Sequence, residues 1–160
     1  MGKRGFCRTT LSRATIVPAA CYGIETTGAS DSTLRKLRKI ALEAVATSTQ
    51  GGNLDAEWRA RDGMHSNIDP AFRAHAAPLS FLAAAWWEDW RTRDQLREAM
   101  ARARSKLNAP LRPKASIWMR AVGPSAAALL SAARLGWTIS DDGIITTDVG
   151  DVLVLGSDPP

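Results

Sequence analysis

The apolar pattern of this chain changes period once, and that change constrains the fold more than any other feature. Up to about Gly136 the apolar residues recur at three- and four-residue intervals, the spacing that gives a helix one stripe to bury. Beyond it, Trp137-Thr138-Ile139, Ile144-Ile145-Thr146-Thr147 and Val152-Leu153-Val154-Leu155 are short runs rich in β-branched residues. Asp142-Gly143 and Gly150-Asp151 separate them with the residues that hairpin turns require. The expectation is a mainly α protein with a small C-terminal antiparallel β-meander packed on the helix before it.

Within the helical part, Arg8 to about Cys21 reads as a short helix interrupted near Pro18, and Gly23 and Gly28 mark turns. Ser30 or Asp31 caps the next helix. Its Leu34, Leu37, Ile40, Ala41, Ala44 and Val45 form an apolar stripe, while Arg35, Lys36, Arg38 and Lys39 take the remaining arc. This helix has a core face and a basic face. Residues 47–69 contain Gly51-Gly52 and few aliphatics, so they read as a linker, with Trp58 pinning it to the core. Asp69-Pro70 opens a helix that Pro78 is expected to break or kink.

Leu79 to Leu107 reads as the longest helix, with Leu82, Leu96, Met100, Ala103 and Leu107 on one face. Asp89–Arg93 and Glu98–Arg102 are favourable i,i+4 pairs along it. Gly123-Pro124 opens a last helix that Gly136 closes. The chain is thus expected to comprise a basic helical segment (1–46), a linker (47–69), a helical segment (70–136), the meander (137–156) and a tail (157–160).

Charge is unevenly placed along these segments. Residues 1–50 carry a net +5, 51–70 carry −2, 71–122 carry +6 and 123–160 carry −4. Two basic segments and an acidic end fit a polyanion-binding surface, and they also fit solvated helices beside an acidic loop region. No run approaches the roughly 18 apolar residues of a membrane span, and Met1-Gly2-Lys3-Arg4-Gly5-Phe6 lacks the apolar core of a signal peptide. An intracellular protein is expected, with nucleus and cytoplasm not separated.

Catalytic chemistry finds few candidates. Cys7, Cys21, His65 and His75 do not have the short paired spacings of a zinc site. Asp141-Asp142 and Glu88-Asp89 are the adjacent acidic pairs, and neither has a third carboxylate placed to complete a magnesium site. Gly51-Gly52-Asn53 lacks the lysine of a phosphate loop, and no serine occupies a nucleophile elbow. No metal and no cofactor are expected. What remains is arginine interleaved with tryptophan. Trp86, Trp90, Arg93, Arg97 and Arg104 follow one helix edge, where arginine suits phosphate and tryptophan suits an unpaired base. Trp86 and Trp90 are expected to be core, and Trp87, which falls off the stripe, is the candidate exposed aromatic.

One stretch goes beyond composition. Ala14-Thr15-Ile16-Val17-Pro18-Ala19-Ala20-Cys21-Tyr22-Gly23-Ile24-Glu25, followed by Leu34-x-x-Leu37, resembles the segment after the polymerase core in reverse transcriptases of non-LTR (LINE-like) retroelements. Pro18, Tyr22, Gly23, Glu25, Leu34 and Leu37 carry the match, concentrated over residues 8–46. The Gly123-Pro124 helix ending in Leu135-Gly136-Trp137 is similar to a connector found in some of these reading frames. The chain departs from the family at Thr26-Thr27-Gly28, where many members carry a tryptophan.

The resemblance implies a thumb/connector fragment whose catalytic aspartates lie upstream, in the missing polymerase domain. Such a fragment would bind nucleic acid, an RNA–DNA duplex, without reading its sequence, and would catalyse nothing alone. Arg35, Lys36, Arg38, Lys39, Arg93, Arg97, Arg104 and Trp87 are the expected nucleic-acid contacts. The alternatives are a protein-interaction module docking through the tryptophan-rich helix, and a decayed element with no selected function. No membrane partner is expected.

Overall fold

A computed structural model describes residues 15, 17–45, 53–62, 69–113 and 115–158. The described chain is mainly helical, with one small sheet at its C-terminal end. In order, it forms α1 (Val17–Ala20), α2 (Ile24–Thr27), α3 (Asp31–Val45), α4 (Leu54–Asp62), α5 (Pro70–Trp87) and α6 (Arg93–Asn108). A 3-10 turn, η1 (Ile117–Arg120), then α7 (Pro124–Arg134), β1 (Thr138–Ile139), β2 (Ile144–Thr146) and β3 (Val152–Val154) complete it. The chain divides into two compact units. The first takes the described residues up to Tyr22 and from Ser30 to Ala74, and the second takes Gly23–Ala29 and everything from His75 onward.

In the first unit, Ser30 caps α3: its Oγ accepts from the Thr33 N–H at 3.2 Å, and its carbonyl accepts the Leu34 N–H. Ala41, expected in the apolar stripe, is buried, and so is Leu42, which lies outside the expected stripe. Ile40, expected in that stripe, is exposed, because adjacent residues on a helix point about 100° apart and Ala41 already faces inward. The expected linker contains a nine-residue helix, α4. Asn53 caps it through its Oδ1, which accepts from Asp55 N–H at 2.9 Å and Ala56 N–H at 3.3 Å. Trp58 is buried, so one large aromatic does the anchoring for which a row of aliphatics is normally needed. Gly51 and Gly52 lie outside the described residues.

Asp69 caps α5, accepting the Ala71 N–H at 2.9 Å, with Pro70 at the first helical position. Pro78 does not break this helix, which runs through it to Trp87. The expected long helix is instead interrupted at 88–92. Asp89 takes a left-handed φ of 49° there, and Thr92 opens α6 with a capping box shared with Gln95.

The core of the second unit gathers Leu82 and Trp86 from α5, Leu96, Met100 and Ala103 from α6, and the small-residue face of α7 around Leu129. Ile139, Ile145 and Leu155 close it from the meander, whose strands are ordered β1-β2-β3 and antiparallel throughout. The register pairs Ile139 with Ile145, both buried against the helices, whereas Leu153, opposite Ile145 on the edge strand, is exposed, and Leu155 just beyond β3 supplies the third core contact. Gly143 turns the first hairpin at φ 79°, and a side chain there would press on Trp86 and Leu155. The sequence-based expectation of a C-terminal meander packed on α7 holds.

Ser131 is fully buried in α7 and its hydroxyl has no hydrogen-bond partner among the described residues. Burying an unpartnered hydroxyl costs about 1 kcal/mol or more. Ser131→Ala is therefore expected to stabilise the protein by about 1 kcal/mol, read as a rise in melting temperature of about 2–4 °C. A fall in melting temperature would show that the hydroxyl is satisfied.

Candidate nucleic-acid interface

The basic arc of α3 separates into two kinds of position. Arg35, Lys36 and Lys39 are exposed on one side of the helix. Arg35 and Lys39 are four residues apart, so their Cα atoms rise about 6 Å along the axis, one helical turn. Lys39 has a 4.0 Å pairing with Glu43, with both side chains largely in solvent, an arrangement that a competing anion displaces at little cost.

Arg38 behaves differently. Its Nε donates to Asp69 Oδ1 at 3.0 Å and Oδ2 at 3.1 Å, its Nη2 lies 2.8 Å from Asp69 Oδ2, and its Nη1 lies 2.6 Å from Asp55 Oδ1. Burial opposes the charged guanidinium, but hydrogen bonds and charge from Asp69 and Asp55 outweigh it and hold the Arg38 pKa above its usual value. Arg38 ties α3 to the starts of α4 and α5 and is not offered to a ligand. A sequence signal for this existed. Arg38 is i+4 from Leu34 and i−3 from Ala41, which places it beside the buried stripe.

In the second unit, Arg93, Arg97 and Arg104 do share one edge of α6, and that edge faces the meander. Arg93 donates to the carbonyls of Leu155 (3.2 Å) and Gly156 (3.4 Å), lies 3.4 Å from Asp89 Oδ1 and rests 5.3 Å from the Trp86 ring centroid. Arg97 donates to Asp142 at 2.9 Å and Asp94 at 3.2 Å. Arg104 donates to Asp141 at 3.0 Å and to the Ile139 carbonyl. The acidic pair Asp141-Asp142 thus holds arginines, and the arginine row fastens α6 to the sheet. Sequence spacing finds the row; it does not reveal that carboxylates 45 and 37 residues away lie opposite Arg97 and Arg104.

The tryptophans divide in the same way. Trp86 is buried, whereas Trp87 and Trp90 are 45% and 47% exposed at the α5–α6 corner. Trp87 is exposed as expected; Trp90, expected in the core, is not, because the chain leaves the helix after Trp87. The Trp90 ring meets Phe81 edge-on at 5.2 Å, and its Nε1 donates to Glu88 at 2.6 Å. Of the motif residues, Pro18 lies in α1, Tyr22 is 89% exposed, and Gly23 adopts φ 80° immediately before α2, which contains Glu25.

Among the described residues, no group of three or more His, Cys, Asp or Glu could hold a metal ion. Cys21 is buried, His75 is half-buried, and Cys7 and His65 lie outside the described residues. Among the described residues no helix is long and apolar enough to cross a membrane. No family model, curated protein or solved structure matches the chain.

Proposed function

We propose that this chain is a non-catalytic nucleic-acid-binding module that grips the phosphate backbone through Arg35, Lys36 and Lys39 on α3. The observation that carries this reading is the exposure of three cations on one side of a single helix, with the fourth, Arg38, held aside by two carboxylates. Point charges on flexible stems bind phosphates without reading bases. The wider reading is a thumb or connector piece of a LINE-like reverse transcriptase, with an RNA–DNA duplex as ligand and no activity of its own. It is supported by the residues of the Pro18–Glu25 motif and by the amphipathic helix that follows, with Leu34 and Leu37 on its more buried side.

Anisotropy of a labelled RNA–DNA duplex, titrated with the full chain across a salt series, tests this. Three phosphate contacts are expected to give a log–log slope of about −2.7, since each contributes about −0.9. The triple variant R35E/K36E/K39E is expected to abolish most of the binding and flatten the slope. Absence of binding at low salt by folded protein, or an unchanged slope in the variant, rejects the reading. The exposed Trp87 and Trp90 favour a second reading, docking of a protein through the α5–α6 corner. That binding would be insensitive to salt and to the triple variant.

A further inference from the structure

A second surface, in the second unit, has a chemistry distinct from the α3 face. From Ala99 to Ser140 the sequence contains no aspartate or glutamate and seven arginines or lysines. The fold concentrates part of this stretch. Arg120, in η1, donates to the carbonyls of Lys106, Ala109 and Pro110, which lie at or just beyond the C-terminal end of α6. Those carbonyls otherwise lack helical partners, so Arg120 fixes η1 against the end of α6. Leu111 and Arg112 follow Pro110 directly, and Met119 and Val122 flank Arg120.

The result is one neighbourhood of two cations and three apolar side chains. Lys106 and Arg112 are exposed, and neither has an ion pair among the described residues. Met119 and Val122 are 76% and 73% exposed, and Leu111 is also exposed. The patch is held firmly from beneath. Ser116 caps η1 by accepting from Trp118 N–H at 3.3 Å, and Arg134 stacks on the Trp118 ring at 4.3 Å while donating to the Ala29 carbonyl at 2.7 Å. With Trp118 anchored this way, its neighbour Met119 is turned outward.

We propose that Lys106, Leu111, Arg112, Met119 and Val122 form a docking face for an acidic amphipathic segment of a partner protein. The cations select carboxylates. The apolar residues select a protein over a nucleic acid, because aliphatic side chains offer phosphate nothing and the nearby aromatic, Trp118, is already covered by Arg134. Methionine adapts to varied apolar partners, and a helix with acids on its flanks and apolar anchors at i, i+3, i+4 and i+7 supplies the complement. A face already fixed by Arg120 and Trp118 loses little freedom on binding.

The probe is a pool of helical peptides of about five turns, with Asp and Glu on the flanks and Leu, Ile, Met, Phe or Trp varied at the anchor positions. A control pool carries Lys in place of the acids, and polyglutamate and an oligonucleotide serve as charge-only competitors. The full chain is expected to enrich the acidic pool over the control. Binding of an enriched peptide is expected to weaken about tenfold or more in K106E/R112E and in M119S/V122S, changes of exposed side chains that leave the core intact. It is expected to persist in R35E/K36E/K39E, so this outcome is separable from the fate of the α3 reading. The proposal is overturned by no enrichment, by enrichment that survives both face variants, or by equal displacement with polyglutamate or the oligonucleotide. Self-association of the chain that both face variants abolish also overturns it, by naming a second copy as the occupant.

Discussion

Replacing Gly28 with alanine is expected to lower the stability of the second unit by about 3 kcal/mol, from two separable causes. The first is the backbone. Gly28 ends α2 at φ 65° and ψ −173°, a combination essentially confined to glycine, costing other residues about 1–3 kcal/mol. The second is steric. A Cβ at this position would collide with the Trp118 ring, and forcing extra atoms into a packed contact costs about 1–3 kcal/mol. Trp118 cannot yield freely, because Arg134 covers its other side and also holds the Ala29 carbonyl. Hydrogen exchange of the full chain locates the loss, which should fall on α2, η1 and α7. Adding Trp118→Leu separates the causes: the double variant should recover the steric part relative to Trp118→Leu alone and retain the backbone part. Wild-type stability in Gly28→Ala would show that the turn is not held in this conformation.

How much of this architecture the sequence discloses depends on the range of the interaction. The meander is legible because its signals are local: β-branched runs, Asp142-Gly143 and Gly150 act within a few residues of where they sit. The corner at 88–92 is signalled by Thr92-x-x-Gln95, yet the apolar face hides it. Leu82 and Leu96 are 14 residues apart, close to four helical turns, so the stripe stays in phase across the interruption. The α4 helix is hidden for the opposite reason, since Trp58 is its one buried large apolar residue among those described and leaves no periodicity to find. The candidate site follows the same rule. Exposure of Arg35, Lys36 and Lys39 is readable from one helix. The roles of Arg97 and Arg104 depend on Asp142 and Asp141, and that of Arg38 on Asp55 and Asp69, partners set by tertiary contact.

Arg38 gives the sharpest test of the difference between a structural arginine and a phosphate-binding one. Arg38→Met is expected to destabilise the first unit by about 3 kcal/mol. The side chains of Arg38 and Asp69 are only 16% and 15% exposed, so losing the guanidinium removes a close counter-charge from a largely buried carboxylate. The exposed Asp55 pairing contributes little to this figure, being screened by solvent. Asp69→Asn on the Arg38→Met background should restore much of the loss. Asparagine still accepts the Ala71 N–H as a helix cap and brings no charge. Single and double variants, measured by denaturation of the full chain, form a cycle whose coupling energy reports the pair. The same proteins answer a functional question. If Arg38 is withdrawn from the ligand as its geometry indicates, the Arg38→Met/Asp69→Asn double variant should keep the wild-type salt slope for an RNA–DNA duplex, while removal of Lys36 or Lys39 should each reduce it by about 0.9. A slope that falls by the same amount in the Arg38 variant would mean that the guanidinium leaves its carboxylates on binding. The α3 face would then present four cations, and the Arg38–Asp69 pair would act as a latch that nucleic acid opens.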